Sequence, residues 1–230
     1  FRPLVAVDSD YYEALDRVFQ KELQKARINL KTQSLLSKRY YQNILDNLPL
    51  LISCPGINST KNKMKGVPAI LVSAGPSLDK NLSLLKEASK GALIIVVATA
   101  FRAILSCGIK PDIVVGVDPD DTSIRSFDLT SANKDSSLLF EPSLPYPIVE
   151  SFSGPKIIAD SNFFLSEWLS RFIGIRGKLA NSLSVSHTGF LFARYLGCDP
   201  IILTGQDLAF FDFKLHCRQS YFENLFLSST

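Results

Sequence analysis

Short apolar runs alternate with amphipathic segments over most of the chain. Six of the runs are PAILVSA, ALIIVVA, DIVVGVD, SSLLFEP, PKIIAD and PIILTG. The segments between them predict helices up to about Ser89, through TAFRAILSC, around residues 163–172, and over residues 185–196 before Gly197. Continuous apolar strands that alternate with helices are typical of a parallel sheet covered on both faces. The pattern therefore predicts an α/β fold with a Rossmann-like, mostly parallel sheet and helices on both faces.

The first part of the chain has a different pattern. Between residues 10 and 52, apolar side chains recur every three or four positions, which predicts two helices packed as a hairpin. Residues 53–66, SCPGINSTKNKMKG, are polar and contain glycine and lysine, as linkers do. We therefore expect an N-terminal helical extension with its linker at residues 1–66, and the α/β domain at residues 67–230.

Composition limits the class of protein. Of the 230 residues, 46% are hydrophobic and 20% are charged, which suits one large α/β domain or a core domain with a helical extension. The net charge of +3 is too small to indicate binding to nucleic acid. No apolar run reaches the roughly 18 residues that a membrane helix needs, and no signal-peptide pattern opens the sequence. We expect a soluble protein with no nucleic acid partner and no membrane span.

The four cysteines are widely spaced and form no CxxC or Cys/His pattern. This spacing argues against a structural zinc site and against a disulfide framework, and it fits a protein of the reducing cytoplasm. Because the sequence begins with Phe1 rather than methionine, we expect it to be a piece of a longer protein.

Polar turns follow several of the predicted strands. In open parallel sheets ligands bind outside the carboxyl ends of the strands, so residues 73–78, 118–121 and 204–207 share one edge with Thr99. The tripeptide Gly75-Pro76-Ser77 stands directly before a helix, whose unpaired N–H groups attract phosphate if a glycine lets the ligand approach. The same tripeptide is also an ordinary turn with a capping serine. It belongs to neither a GxGxxG nor a Walker sequence.

A second helix start has the residue types of an anion site. Ser184 and Ser186, with Asn181 before them, offer hydroxyl and N–H groups to a phosphate. The alternative is that Ser184 only caps the helix. Gln206 and Asp207 end a buried strand, where a carboxylate needs either a ligand or an internal hydrogen bond. Both alternatives stay open.

Four linked motifs resemble a known family: PAILVSAGPSL, GIKPDIVVGVDP, SVSHTGFLFARYLGCDPIILTGQDLAF and a histidine that follows them. In this order and spacing they resemble the central domain of the motility-associated factor glycosyltransferases. That domain is shared with proteins that resemble 6-hydroxymethylpterin diphosphokinase. The resemblance spans about residues 30–216. It implies that residues 67–230 form a nucleotide-sugar-binding catalytic domain.

A more distant resemblance concerns bacterial sialyltransferases that use a CMP-activated sugar. It implies a CMP-sugar donor that carries a nonulosonic acid of the sialic, pseudaminic or legionaminic type, and no required cofactor. Together with the resemblance to the motility-associated factor glycosyltransferases, it implies that a Ser or Thr hydroxyl of flagellin or another protein is the acceptor. The residues expected to bind the donor are Gly75, Pro76, Ser77, Leu78, Thr99, Asp118, Asn181, Ser184, Ser186, His187, Gly205, Gln206 and Asp207.

The two histidines are candidates for a general base, because histidine is the residue type that exchanges protons near neutral pH. His187 lies near a helix start, where it either contacts phosphate or only packs. His216 follows the strand that ends at Asp207, on a loop. In the sialyltransferases that the chain resembles, a histidine beyond this strand deprotonates the acceptor hydroxyl. We therefore expect His216 to be catalytic.

The aspartates of VDPDD raise the question of a metal. Asp118, Asp120 and Asp121 offer the oxygen ligands that Mg²⁺ prefers and that an ATP-dependent diphosphokinase requires. Aspartates after a strand are also common as turn and cap residues, so the metal stays open. Three functions compete. The first is the glycosyltransferase, the second a 6-hydroxymethylpterin diphosphokinase-like transfer from ATP with Mg²⁺, and the third a non-catalytic scaffold of flagellar assembly.

Overall fold

Six parallel strands form one sheet in the computed structural model, which describes residues 8–127, 134–161, 163–180, 182, 184–209 and 214–221. The strands are β1 (Ala69–Val72), β2 (Leu93–Val97), β3 (Ile113–Gly116), β4 (Ser137–Phe140), β5 (Lys156–Ile158) and β6 (Ile201–Thr204). Their order across the sheet is β5-β4-β3-β2-β1-β6, and every neighbouring pair is parallel. The predicted α/β, Rossmann-like fold is confirmed.

Helices occupy the connections between the strands. They are α1 (Ser9–Asp46), α2 (Leu48–Ser53), α3 (Leu78–Ala88), α4 (Ala98–Ser106), α5 (Tyr146–Ser151), α6 (Phe164–Ile173) and α7 (Val185–Leu196). Short 3-10 helices lie at Ile57–Thr60 and Asp121–Ser126. The bounds of α7 agree with the prediction, because Ser184 caps its start and Gly197 ends it in left-handed backbone at φ 84°.

The central strands are buried on both faces, which explains their continuous apolar sequences. Helix α7 packs against β1, β2 and β3. At Gly189 it approaches the sheet so closely that a Cβ atom would lie 2.7 Å from Leu71 Cδ1, so a larger residue would force that side chain to shift. Right-handed crossovers place α3 and α4 on the opposite face, since the chain runs from β1 to β2 to β3 in one direction and returns past β1 to reach β6.

The N-terminal helical region differs from the prediction. Helix α1 runs without a break for 38 residues and the short α2 follows it, so the predicted hairpin of two helices is wrong. No glycine or proline interrupts the sequence of α1, and Pro49 lies in the first turn of α2. Apolar spacing indicates a helix but does not show where the chain turns.

The chain divides into two compact units, Phe1–Lys38 and Arg39–Thr230. In the first unit several large apolar side chains of α1 are exposed, namely Tyr11, Leu15, Val18, Phe19 and Leu23. Residues 39–66 belong to the second unit. The functional division expected between residues 66 and 67 stays a prediction.

Within the second unit, two buried asparagines tie the end of α1 to loops at the carboxyl edge of the sheet. Asn43 Nδ2 donates to the carbonyl groups of Pro119 and Ser143, at 3.0 and 2.7 Å. Asn47 Nδ2 makes the same kind of contact with two carbonyl groups of the loop after β4. Both side chains are at most 9% exposed. They thus satisfy loop carbonyls that burial would otherwise leave unpaired.

All four cysteines are free thiols. Burial raises the pKa of the Cys198 thiol, and it raises the pKa of Cys217 to about 12, so neither thiol is an activated nucleophile. In the ranges that the structure describes, not even the long α1 is apolar enough to cross a membrane. The cytoplasmic location stays a prediction.

Candidate functional site

A cavity of about 440 Å³ opens at the carboxyl edge of the sheet, between the ends of β1 and β6. The chain leaves β1 toward β2 on one side and returns on the other side as β6, so this is the topological switch point at which open α/β sheets bind ligands. The lining comes from residues 73–76, Val97, Thr99, residues 184–186, residues 205–209, Leu215 and His216. The volume lies in the range of small-ligand sites.

The turn after β1 is packed directly against the turn after β6. Gly75 N donates to Gly205 O at 2.8 Å, and Ser77 N donates to Asp207 Oδ2 at 3.0 Å. A Cβ atom on Gly75 would lie 2.1 Å from that carboxylate oxygen. Gly205 has φ 69°, and a Cβ atom there would lie 2.0 Å from Ser73 O. Contacts within the protein therefore require both glycines.

These contacts change the interpretation of the Gly75-Pro76-Ser77 turn. The N–H of Ser77 donates to Asp207 and that of Leu78 donates to Gly75 O at 3.0 Å, while Pro76 has no N–H. The start of α3 thus has a carboxylate of the protein where the sequence predicts a ligand phosphate. Gly75 and Pro76 line the cavity, whereas Ser77 and Leu78 do not. Their role in ligand binding stays a prediction.

The start of α7 faces the same cavity and is more open. Ser184 is the N-cap residue, and its Oγ accepts a hydrogen bond from His187 N at 3.2 Å. Ser184, Val185 and Ser186 line the cavity. The helix itself provides no acceptor for the N–H groups of its first turn, and these groups carry the positive end of the helix dipole. An anionic group fits this position.

A chain of polar side chains crosses the switch point. Ser186 Oγ of α7 lies 2.9 Å from Ser73 Oγ, at the end of β1. Ser73 Oγ in turn donates to Gln206 Oε1, after β6, at 2.8 Å. The three side chains connect three separate elements around the cavity. They are among its lining residues.

Residues 214–221 bring His216 to the cavity. Cys217, which is fully buried, donates its N–H to Ala74 O at 2.8 Å. Next to it, Arg218 N donates to the Asp79 carboxylate at 3.2 Å. The two contacts attach this segment to the turn after β1 and to the first turn of α3, and Leu215 and His216 then line the cavity. His216 Nδ1 is buried.

The remaining predicted site residues lie in three different situations. Thr99 lines the cavity from the first turn of α4. His187 and Asp118 do not line it. Asp118 is exposed, and its Oδ1 accepts the N–H of Asp120 at 3.0 Å. Asn181 lies outside the described residues.

The aspartates after β3 act as turn and cap residues. Asp120 accepts the N–H of Thr122 at 2.9 Å and pairs with Arg39. The hydrogen bond from Thr122 and the nearby guanidinium lower the pKa of the Asp120 carboxyl. In the described ranges, no group of three or more His, Cys, Asp or Glu residues has the arrangement of a metal site. The sequence leaves open whether the protein binds a metal ion, and the described residues do not decide it.

A family model matches the sequence of this chain. It is described as 6-hydroxymethylpterin diphosphokinase MptE-like, and it matches residues 42–212, about three quarters of the 230 residues. The chain belongs to the 6-hydroxymethylpterin diphosphokinase MptE-like family. No curated protein matches it.

A solved structure is similar to this MptE-like chain. It is the MAf glycosyltransferase from Magnetospirillum magneticum AMB-1, with a TM-score of 0.61 and 20% sequence identity. The match covers 75% of this chain and 28% of that chain, so the sequence corresponds to a minor part of the larger protein. At this identity the likeness establishes the fold. With the family match, it confirms the resemblance that the four motifs predict.

Several residues around this MptE-like cavity are absent from the predicted set. Ser73, Val97, Leu208 and Leu215 line it, and of these Ser73 lies within residues 73–78, which the sequence already placed at this edge without naming Ser73 as a ligand. Glu141 follows β4 on the same edge of the sheet but outside the lining. Burial raises the pKa of its carboxyl to about 7. A lone glutamate after an apolar run gives no sequence signal of such burial.

Proposed function

We propose that this chain is the nucleotide-sugar-binding and catalytic part of a glycosyltransferase. The proposed reaction transfers a nonulosonic acid from a CMP-sugar to a hydroxyl group of a protein, with flagellin as the proposed acceptor. The observation that carries the proposal is the cavity at the switch point, where His216 and the open start of α7 are together. The similar solved structure is described as a glycosyltransferase, which supports the same class of activity.

In the proposed arrangement, the donor phosphate lies at the start of α7. The N–H groups of Val185 and Ser186 and the helix dipole stabilise its negative charge. The same groups stabilise the additional charge on the phosphate when CMP leaves. No lysine or arginine is among the described lining residues, so backbone groups provide most of the positive potential there.

His216 is the proposed general base. Its imidazole accepts the proton of the acceptor hydroxyl as the hydroxyl oxygen forms a bond to the anomeric carbon of the sugar. The bond between that carbon and the phosphate oxygen breaks, and CMP leaves with the electron pair. A single displacement of this kind inverts the anomeric configuration. The charge of the histidinium formed is balanced by the phosphate that leaves.

The family description names a second candidate, transfer of diphosphate from ATP to a hydroxymethylpterin. That chemistry uses Mg²⁺ bound by carboxylates next to the phosphates. Among the described lining residues the one carboxylate is Asp207, which already accepts the N–H of Ser77. Asp118 lies outside the lining. These positions favour the glycosyltransferase.

A nucleotide-binding screen separates the candidate functions. Calorimetry with CMP, CDP, CTP and ATP, each with and without Mg²⁺, should show binding of the cytidine nucleotides that does not require the metal. Binding of ATP only with Mg²⁺, together with diphosphate transfer to a pterin, would establish the diphosphokinase instead. If none of the nucleotides binds, the scaffold is the correct function.

Substitution of His216 tests the proposed base. A positioned general base contributes about 10²- to 10⁴-fold, so His216→Gln should lower the transfer rate by about that factor. CMP affinity should change little, because the base contacts the acceptor rather than the donor. His187→Gln is the matched control, since His187 does not line the cavity, and should keep most of the activity. Full activity of His216→Gln would remove this residue from the mechanism.

A further inference from the structure

The hydrogen bonds across the switch point have a defined direction. Ser73 Oγ donates its hydrogen to Gln206 Oε1 at 2.8 Å. A hydroxyl group has a single hydrogen. In its 2.9 Å contact with Ser186 Oγ, Ser73 must therefore accept and Ser186 must donate. The direction is from Ser186 to Ser73 to Gln206.

This direction determines which end of the Gln206 carboxamide is available. The oxygen Oε1 is occupied by Ser73, and the nitrogen Nε2 carries two N–H donors. Gln206 lines the cavity, and among the described residues the structure assigns no acceptor to Nε2. The side chain therefore offers hydrogen-bond donors to a molecule in the cavity. An acceptor atom of that molecule is the complementary group.

We propose that Gln206 donates from Nε2 to a phosphate oxygen of the bound nucleotide, and that Ser73 and Ser186 are positioning residues that hold its amide in this orientation. This inference rests on the proposed function, because it specifies how the donor phosphate is recognised. The phosphate is favoured because Ser186, at the other end of the hydrogen-bonded chain, lies in the first turn of α7. Gln206 and the first turn of α7 thus line the same cavity.

The same chain changes the role expected of Ser186. Its hydroxyl hydrogen is directed to Ser73, so it does not donate to the ligand while the chain is intact. What Ser186 offers a phosphate directly is its backbone N–H, which no side-chain substitution removes. The sequence alone indicated both the hydroxyl and the N–H groups as phosphate ligands. The carboxamide of Gln206 takes that role in our proposal.

Gln206→Glu tests the proposed donor. Glutamate has the same length and keeps an oxygen for Ser73, but it replaces the two N–H donors by a negatively charged oxygen. A hydrogen bond to a charged group contributes enough that its loss should weaken CMP binding roughly ten- to hundredfold. Cytidine, which lacks the phosphate, should bind the variant within about twofold of the parent. Gln219→Glu is the control, because Gln219 is exposed and outside the lining.

The outcomes of this experiment are distinct. Unchanged CMP affinity in Gln206→Glu would overturn the inference. So would an equal loss for cytidine, which would indicate a contact to the base, or an equal loss in Gln219→Glu, which would indicate a general effect of charge. If the parent binds ATP and not CMP, the proposed function fails. The Gln206 effect is then measured on ATP, and a loss there still supports the phosphate contact.

A double-mutant cycle tests the positioning role of Ser73. Ser73→Ala leaves the carboxamide in place but removes the hydrogen bond that orients it, so CMP affinity should fall by about three- to tenfold. In the Gln206→Glu background the same substitution should have little further effect, because the group that it orients is already gone. Additive losses would show that Ser73 only supports the fold and would overturn its positioning role.

Discussion

The two helix starts that meet at the cavity satisfy their backbone N–H groups in different ways. At the start of α3, Ser77 N donates to the Asp207 carboxylate at 3.0 Å, so a side chain of the protein provides the negative charge. At the start of α7, the cap is the neutral hydroxyl of Ser184, which satisfies His187 N. Among the described residues, a carboxylate partner is found at the start of α3 and not at the start of α7, so the positive dipole end at α7 suits an anionic ligand. A ligand phosphate is therefore better placed at α7.

The difference between the two helix starts shows that a glycine before a helix can be required for either of two reasons. The missing side chain leaves room either for a ligand or for another part of the protein. Here Asp207 fills the space, and it comes from a position 130 residues after Ser77 in the chain. The local sequence is the same in both cases, and only the pairing of β1 with β6 decides between them.

The largest expected effect is that of closing the space at Gly75. In Gly75→Ala the new Cβ would lie 2.1 Å from Asp207 Oδ2 and 2.5 Å from Gly205 O. Backbone oxygen cannot move away as a flexible side chain can, so we expect a loss of about 3–5 kcal/mol in the free energy of unfolding. Denaturant unfolding measures it. Gly91→Ala, where a Cβ would meet no atom within 4 Å, is the control.

The opposite result would indicate that the start of α3 binds the ligand phosphate. If Gly75→Ala is as stable as the parent and has lost CMP binding, the glycine serves the ligand and not the Asp207 contact. The comparison of the two helix starts would then be wrong, since both would bind phosphate. Equal stability losses in the Gly75 and Gly91 variants would indicate a general glycine effect.

Much of the fold could be predicted because it depends on local sequence. The six apolar runs became the six strands, and the cap at Ser184 and the glycine at position 197 determine both ends of α7. The sequence did not show that α1 runs unbroken to Asp46, because no residue in it forces or forbids a turn. Helix α5 was missed because a segment with Pro145 and Pro147 has too few periodic positions.

The candidate site was predictable in its position and less so in its contacts. The rule that ligands bind at carboxyl ends of parallel strands predicts residues 73–78 and 204–207 at one edge, and residues 184–186 were predicted separately as a helix start. The structure places residues 73–76, 184–186 and 205–207 around one cavity. The same rule also predicts Asp118 at this edge, yet Asp118, which follows β3, lies outside the lining. Side-chain partners such as Ser73 and Gln206 are 133 residues apart and depend on strand order.

Asp207 and Glu141, two carboxyl groups at this edge of the sheet, have different surroundings. Asp207 has an N–H partner at a helix start, whereas burial raises the pKa of Glu141 to about 7 from 4.5. The folded protein therefore keeps the Glu141 proton to higher pH than the unfolded chain does. Stability should be full below about pH 4.5 and should fall as pH rises to about 7, by up to about 3 kcal/mol.

Glu141→Gln should remove this part of the pH dependence. Glutamine carries no charge at any pH, so between pH 4.5 and 7 the variant should lose less stability than the parent. Unfolding curves at several pH values measure the difference. Glu87→Gln, at an exposed position of α3, is the control and should follow the parent. An unchanged pH profile in Glu141→Gln would show that other groups control it.

The smallest expected effect concerns the cap of α7. Because Ser184 Oγ already accepts His187 N, Ser184→Ala should destabilise the protein by about 1 kcal/mol, as loss of an N-cap does. CMP affinity should change by less than about twofold, since the hydroxyl is engaged by the helix and the phosphate is held by backbone N–H groups. Ser83→Ala, at an exposed position inside α3, is the control and should leave both stability and binding near the parent values. A tenfold loss of CMP affinity in a stable Ser184→Ala protein would mean that the serine hydroxyl contacts the ligand directly. The two helix starts would then differ in which group contacts the phosphate. They would not differ in whether the protein itself satisfies their backbone N–H groups.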